Sequence, residues 1–245
     1  MARIDDSISA ALTAAGDRPS DEAASTLKKA YSEKVSANIA LALAEELRLR
    51  GLNEARPALP GELDGSGAER RMAGGIGAKK VDVTWSTEES GLILGVSIKS
   101  INFRDKTTKN YQKNLTNRRG DMLFEAVTLH RRFPYAVLGG LFIFGAGAAE
   151  DGTSKRRSTF ENAHNRFRLF TGRSDPAGRE EQFEAFYFML LEASSQHADY
   201  TLYRVGDHKK QISFDELICE LIQTTAIRNP DFYEYDDGQL QSMRA

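Results

Sequence analysis

Apolar positions along the chain follow two periods. Between residues 20 and 50, Val35, Ile39, Ala42, Leu43 and Leu47 recur three or four apart, which gathers them on one face of a helix. The spacing predicts one long helix, or two joined near Ala30, capped by Ser20 and ended by Gly51. Residues 52–78 lose the period and are rich in Gly, Pro and Ala (RPALPGELDGSG, MAGGIGAKK), which predicts a loop or flexible arm. The period then drops to two. Val81, Val83 and Trp85 alternate with Asp82 and Thr84, STEESG reads as a turn, and Gly91–Ile101 reads as a second strand. That strand sets Leu92, Leu94, Val96 and Ile98 on one face and Ile93, Gly95, Ser97 and Lys99 on the other. Residues 102–117 form a polar connection, and 118–132 a helix with Met122, Leu123, Ala126 and Val127 as its apolar stripe. Tyr135–Gly145 is a third strand, apolar on both faces and therefore central. Helices follow at 155–169 and 178–194, then a strand at 200–205 and a helix at 213–226.

This order argues for an α/β or α+β domain with a mixed central sheet flanked by helices. A chain of 245 residues is long enough for one such domain. Its parts are an N-terminal helical part over 19–51, a core sheet over 79–145, and C-terminal helices with an extra strand over 150–245. The apolar run Phe133–Ala149 contains four glycines and falls short of a spanning helix. With no apolar signal core in MARIDDSISA, a cytoplasmic place and no membrane partner are expected. Cys219, the single cysteine, excludes an internal disulfide and reads as a buried thiol in FDELICELI.

A formal net charge of −2 hides a strong segregation. Residues 99–132 carry nine Lys/Arg against three Asp/Glu, and residues 155–173 six against one, whereas 174–245 carry six against fourteen. Local basic segments in a near-neutral chain suit one cationic surface facing a polyanion. The second basic run, SKRRSTFENAHNRFRLFTGR, is either a further backbone contact or a capped helix with surface arginines. The four histidines show no metal-ligand spacing, and MAGGIGA lacks the Gly-Lys-Ser/Thr of a phosphate loop, so no nucleotide cofactor is indicated.

Candidate chemistry lies on the hairpin. Residues facing each other across antiparallel strands have a constant index sum. Pairing Asp82 with Ser97 gives 179, which centres the turn between 89 and 90. Asp82, Ser97 and Lys99 then project on one side of the sheet. A carboxylate, a hydroxyl and an ammonium on an apolar hairpin are costly unless paired, so they mark a structural ion pair or a site. For phosphodiester hydrolysis a carboxylate can hold Mg²⁺, and a nearby lysine can orient water and offset transition-state charge.

VDVTW, turn, ILGVSIKSI resembles the PD-(D/E)xK nuclease superfamily, to which most type II restriction endonucleases belong. The resemblance implies a restriction-endonuclease-like fold, with N- and C-terminal helical additions, and a Mg²⁺- or Mn²⁺-dependent endonuclease cutting double-stranded DNA in defence against foreign DNA. Alternatives are a nuclease-like fold that binds DNA with little or no cleavage and a structure-selective repair nuclease. Asp82 matches the family's first acid and Lys99 its lysine. Ser97 replaces the middle acid, Val81 stands where Pro is usual, and the first core strand is short or lies within 70–78. A carboxylate from a helix would then complete the metal shell, with Glu33 and Glu125 the first candidates and Asp121 behind them. The connection NFRDKTTKNYQKNLTNRR offers Arg104, Lys106, Lys109, Gln112, Lys113, Asn114, Asn117, Arg118 and Arg119 to DNA, the cations for phosphates and the amides for base edges. Two-strand cleavage implies a homodimer by analogy.

Overall fold

A computed structural model of the chain describes residues 2–64 and 67–243. Helix α1 (Arg3–Ala14) precedes α2 (Ser25–Leu49). A two-stranded ribbon follows, β1 (Arg71–Ala73) with β2 (Ala78–Lys80), then β3 (Val83–Thr87) and β4 (Gly91–Ile101). Helix α3 (Leu115–Arg132), β5 (Val137–Gly145) and α4 (Thr159–Phe167) lead to β6 (Ala185–Ala193) and β7 (Ala198–Arg204). Two-residue β8 (Gln211–Ile212), α5 (Phe214–Arg228) and a last hairpin, β9 (Tyr233–Asp236) with β10 (Gln239–Ser242), complete the chain.

Strands β3 to β8 form one mixed sheet in sequence order. The pairs β4–β5 and β5–β6 are parallel and the others antiparallel. All nine residues of β5 are buried, as its unbroken apolar sequence predicts for a central parallel strand. One face of the sheet packs on α1, α2 and α5, where Ile8, Ile39, Leu43, Val96, Leu141 and Leu221 meet. The opposite face packs on α3 and α4 through Met122, Leu129, Phe142, Phe160, Phe167 and Phe188. None of the helices described is long and apolar enough to cross a membrane.

Several expectations need correction. Helix α2 is a single helix that starts at Ser25, with no side-chain cap, so Ser20 does not begin it. It stops at Gly51, whose φ of +96° and contact with the Leu240 carbonyl exclude a side chain. Helix α1 went unpredicted, although Ile4, Ile8 and Leu12 are fully buried at helical spacing. The predicted loop 52–78 contains β1 and the first residue of β2, and its residues 65 and 66 lie outside the described residues. Strand β1 falls within 70–78 but pairs only with β2, so it is not a strand of the central sheet. The segment predicted as a helix at 178–194 holds strand β6, because a buried apolar run looks alike in either state. Cys219 is half-buried, with Nη1 of Arg50 at 3.1 Å from its Sγ. Ser158 caps α4 by accepting from the Glu161 N–H, so the second basic run contains a capped helix.

Arg56 exchanges two backbone hydrogen bonds with Thr84, covering the outer edge of β3. Glu184, just ahead of β6, is buried with four donors around it. It accepts from Leu138 N–H (2.8 Å), Arg173 (2.8 Å) and Arg228 (3.1 Å), and lies 3.2 Å from Nε2 of His130. Those donors hold its carboxyl below the usual glutamate range against the opposing effect of burial.

Candidate active site

The hairpin register matches the index sum, since Val83 faces Val96 and Trp85 faces Leu94. A bulge between Trp85 and Ser86 then shifts the pairing by one. The faces change accordingly. Leu92 joins the α3 side and Ile93 the α2 side, opposite to the simple alternation, while Leu94, Val96 and Ile98 stay on the α2 side. Val81 also lies on the α3 side, away from Val83 and Trp85, because the strand begins only at Val83.

Asp82 sits just before β3, and its Oδ2 accepts the N–H of Ile98 at 2.6 Å. One residue on, Lys99 projects its Nζ to 3.8 Å from Asp82 Oδ2 and 3.5 Å from Glu125 Oε2. Glu125 comes from α3 and is buried, and its Oε1 accepts the hydroxyl of Ser97. Four side chains from three elements thus converge, two carboxylates around one ammonium with a hydroxyl behind. Burial pushes the Asp82 carboxyl above the usual aspartate range, and the neighbouring Glu125 and Glu69 charges add to it. The Lys99 ammonium and the Ile98 N–H oppose that rise.

Other expected residues lie apart. Glu33 is exposed on α2 and pairs with Lys29 at 3.6 Å. Asp121, one turn before Glu125, is exposed and pairs with Arg118 at 3.8 Å. Among the described residues no cluster of three or more His, Cys, Asp or Glu side chains is arranged to hold a metal. Two carboxylates nevertheless fit Mg²⁺ or Mn²⁺. Mg²⁺ in particular usually keeps several waters and takes one or two protein carboxylates with substrate phosphate oxygens. Asp82 and Glu125 would hold such an ion.

Asp82 and Lys99 open onto a groove of about 1580 Å³. Its walls are the exposed side of α2, the 57–60 and 67–69 segments, and the connection from Asn102 to Asn114. Eight basic and four acidic residues line it, so a net positive charge surrounds the acids. Arg104, Lys106, Lys113, Asn114 and Arg118 are on this wall, whereas Lys109, Gln112, Asn117 and Arg119 do not line it. Lys106 and Lys109 share Glu22, at 3.8 and 3.4 Å, and Lys113 pairs with Asp105. Lys113, with the N–H groups of Thr107 and Thr108, holds Asp105 far below the ordinary carboxylate range. The two Glu22 pairs are exposed on both sides and contribute little to stability. Sequence reasoning missed Lys28, Lys29, Glu69 and Lys80 in this lining. The doubled lysines at 28–29 and 79–80 were the available signal. No protein-family model, curated protein or solved structure matches the chain.

Proposed function

We propose that this protein is a Mg²⁺-dependent endonuclease that hydrolyses double-stranded DNA, of the restriction and defence type. The observation that carries the reading is Lys99, within 4 Å of both Asp82 and Glu125 at the side of a cationic groove. When bound, Mg²⁺ would polarise the scissile phosphate and make its water more acidic. The chain's own residues supply the rest. Asp82 and Glu125 offer the oxygen ligands, and Ser97 fixes the rotation of Glu125 by donating to one of its oxygens. Lys99 offers a positive charge where the negative charge of the transition state builds, and its ammonium can donate to the attacking water. Cutting both strands calls for two such sites, so the reading includes a homodimer.

Incubating plasmid with protein and Mg²⁺, beside Lys99→Ala, tests the reading. Cleavage by the wild type and its loss in the variant are expected, and an intact plasmid with both proteins would overturn it. A DNA-binding protein without cleavage is the second reading. It is favoured by the replacement of the family acid with Ser97 and by the absence of a three-ligand cluster among the described residues. Retained duplex binding without any cleavage would select it.

A further inference from the structure

The β1–β2 ribbon stands apart from the six-stranded sheet, with three residues in each strand. So short a pair has little stability of its own. Its cross-strand neighbours should therefore favour each other, yet the register places Arg71 directly opposite Lys80. Like charges in that position repel, where an opposite pair would contribute about 0.2–1 kcal/mol. Arg70 and Lys79 flank them, so the segment from Arg70 to Lys80 carries four cations and no acid. Lys80 has Glu69 as a partner, and the Lys79 ammonium lies 4.4 Å from the centre of the Phe124 ring. Arg71 is exposed and makes no salt bridge among the described residues, and Arg70 has only the charge of Glu54 acting on it, without a salt bridge. Burial and the nearby Arg56 guanidinium hold Arg70 below the usual arginine range.

The ribbon is also well placed. Its foot, Lys80, lines the groove two residues before Asp82. Its tip rests on α3, where the Gly75 N–H donates to the Thr128 carbonyl at 2.8 Å. The cations thus run from the candidate site along the helix that bears Glu125. A polyanion would relieve their repulsion, and duplex DNA presents one negative charge for about every 1.7 Å of its axis.

We infer that the β1–β2 ribbon is a second DNA-contacting element, which holds the phosphates of duplex DNA beside the candidate site through Arg71 and Lys79. The inference rests on the DNA reading above. It makes stability and binding move in opposite directions in one variant. Arg71→Glu turns the repulsive pair with Lys80 into an attractive one, so its Tm should equal or exceed that of the wild type while duplex affinity falls. Arg71→Gln should lower the slope of log K against log salt by about 0.9, and Arg71→Gln with Lys79→Gln by about twice that. Arg71→Lys should restore binding. Binding is measured with a short duplex in EDTA, so that no cleavage intervenes. Unchanged slopes in the ribbon variants, beside a slope lost when Lys109, Lys113 and Arg118 are replaced, would overturn the ribbon proposal alone. A lower Tm for Arg71→Glu would make Arg71 a structural residue and overturn it as well. A wild type without salt-dependent duplex binding would overturn the DNA reading and this inference together.

Discussion

Ser97 donates its hydroxyl to Oε1 of Glu125, 28 positions further along the chain and on a different element. The strand position that carries an acid in the resembled family thus anchors an acid brought in by α3. Glu125→Gln keeps volume and a partner for Ser97 but removes the charge. Mg²⁺-dependent cleavage should fall by about 100-fold or more, the scale for a group that acts on the reacting centre. Ser97→Ala should cost only about 10–100-fold, as loss of an outer partner of a metal-binding group does. Equal losses in the two variants would make Ser97 a direct participant.

Lys99→Met removes the ammonium that both carboxylates share. The variant should melt below the wild type at pH 7 and be rescued by Mg²⁺ more than the wild type is. A ligand at 100 times its Kd stabilises by about 2.7 kcal/mol, well within the reach of a melting experiment. If millimolar Mg²⁺ moves neither melting point, Asp82 and Glu125 do not hold the ion.

Asp82 gives a pH prediction of definite sign. Its folded-state pKa is raised, so the neutral form is favoured in the fold, and its contribution to stability is present at low pH. That contribution is lost as pH rises through the ordinary aspartate range to the raised value. Asp82→Asn imitates the neutral form and still accepts from Ile98. Its Tm at pH 7 should therefore match or exceed that of the wild type, while cleavage is abolished. Wild-type cleavage should also fail on acidification at a higher pH than an ordinary aspartate would set. A clear loss of Tm in the variant would make the charged carboxylate structural.

Replacing Lys109, Lys113 and Arg118 with Ala should weaken duplex binding, with about 0.9 lost from the salt slope for each phosphate contact removed. All three are themselves exposed, and the partners of Lys109 and Arg118 are exposed as well, so Tm should change little. A collapse in Tm would show that the 102–114 connection depends on these pairs.

The hairpin register was legible in the sequence because pairing the two polar positions Asp82 and Ser97 gives a sum of 179 and puts the turn at STEESG, and 179 is the sum observed at Val83 and Val96. The bulge was not, since one extra residue leaves no mark in a run as apolar as LILGV. Strand β6 was misread because FYFMLL is apolar throughout, and a strand buried on both faces has no alternation to show. The convergence of Asp82, Ser97 and Lys99 followed from pairing. The choice among Glu33, Asp121 and Glu125 depended on how α3 packs on the sheet, and helical spacing alone does not determine that packing.

Glu184 gathers donors from β5, from α3, from the loop at Arg173 and from α5. Removing one partner of a buried ionic group costs about 3–5 kcal/mol, because the charge left behind stays dry. Arg228 belongs to the last helix, and the acid it neutralises lies between the two strands at the centre of the sheet. The segment after β8 is therefore no detachable appendage. A chain ended after β8 would leave that carboxylate with one of its two guanidinium partners, so the hairpin and its neighbouring strands cannot serve as a minimal folding unit.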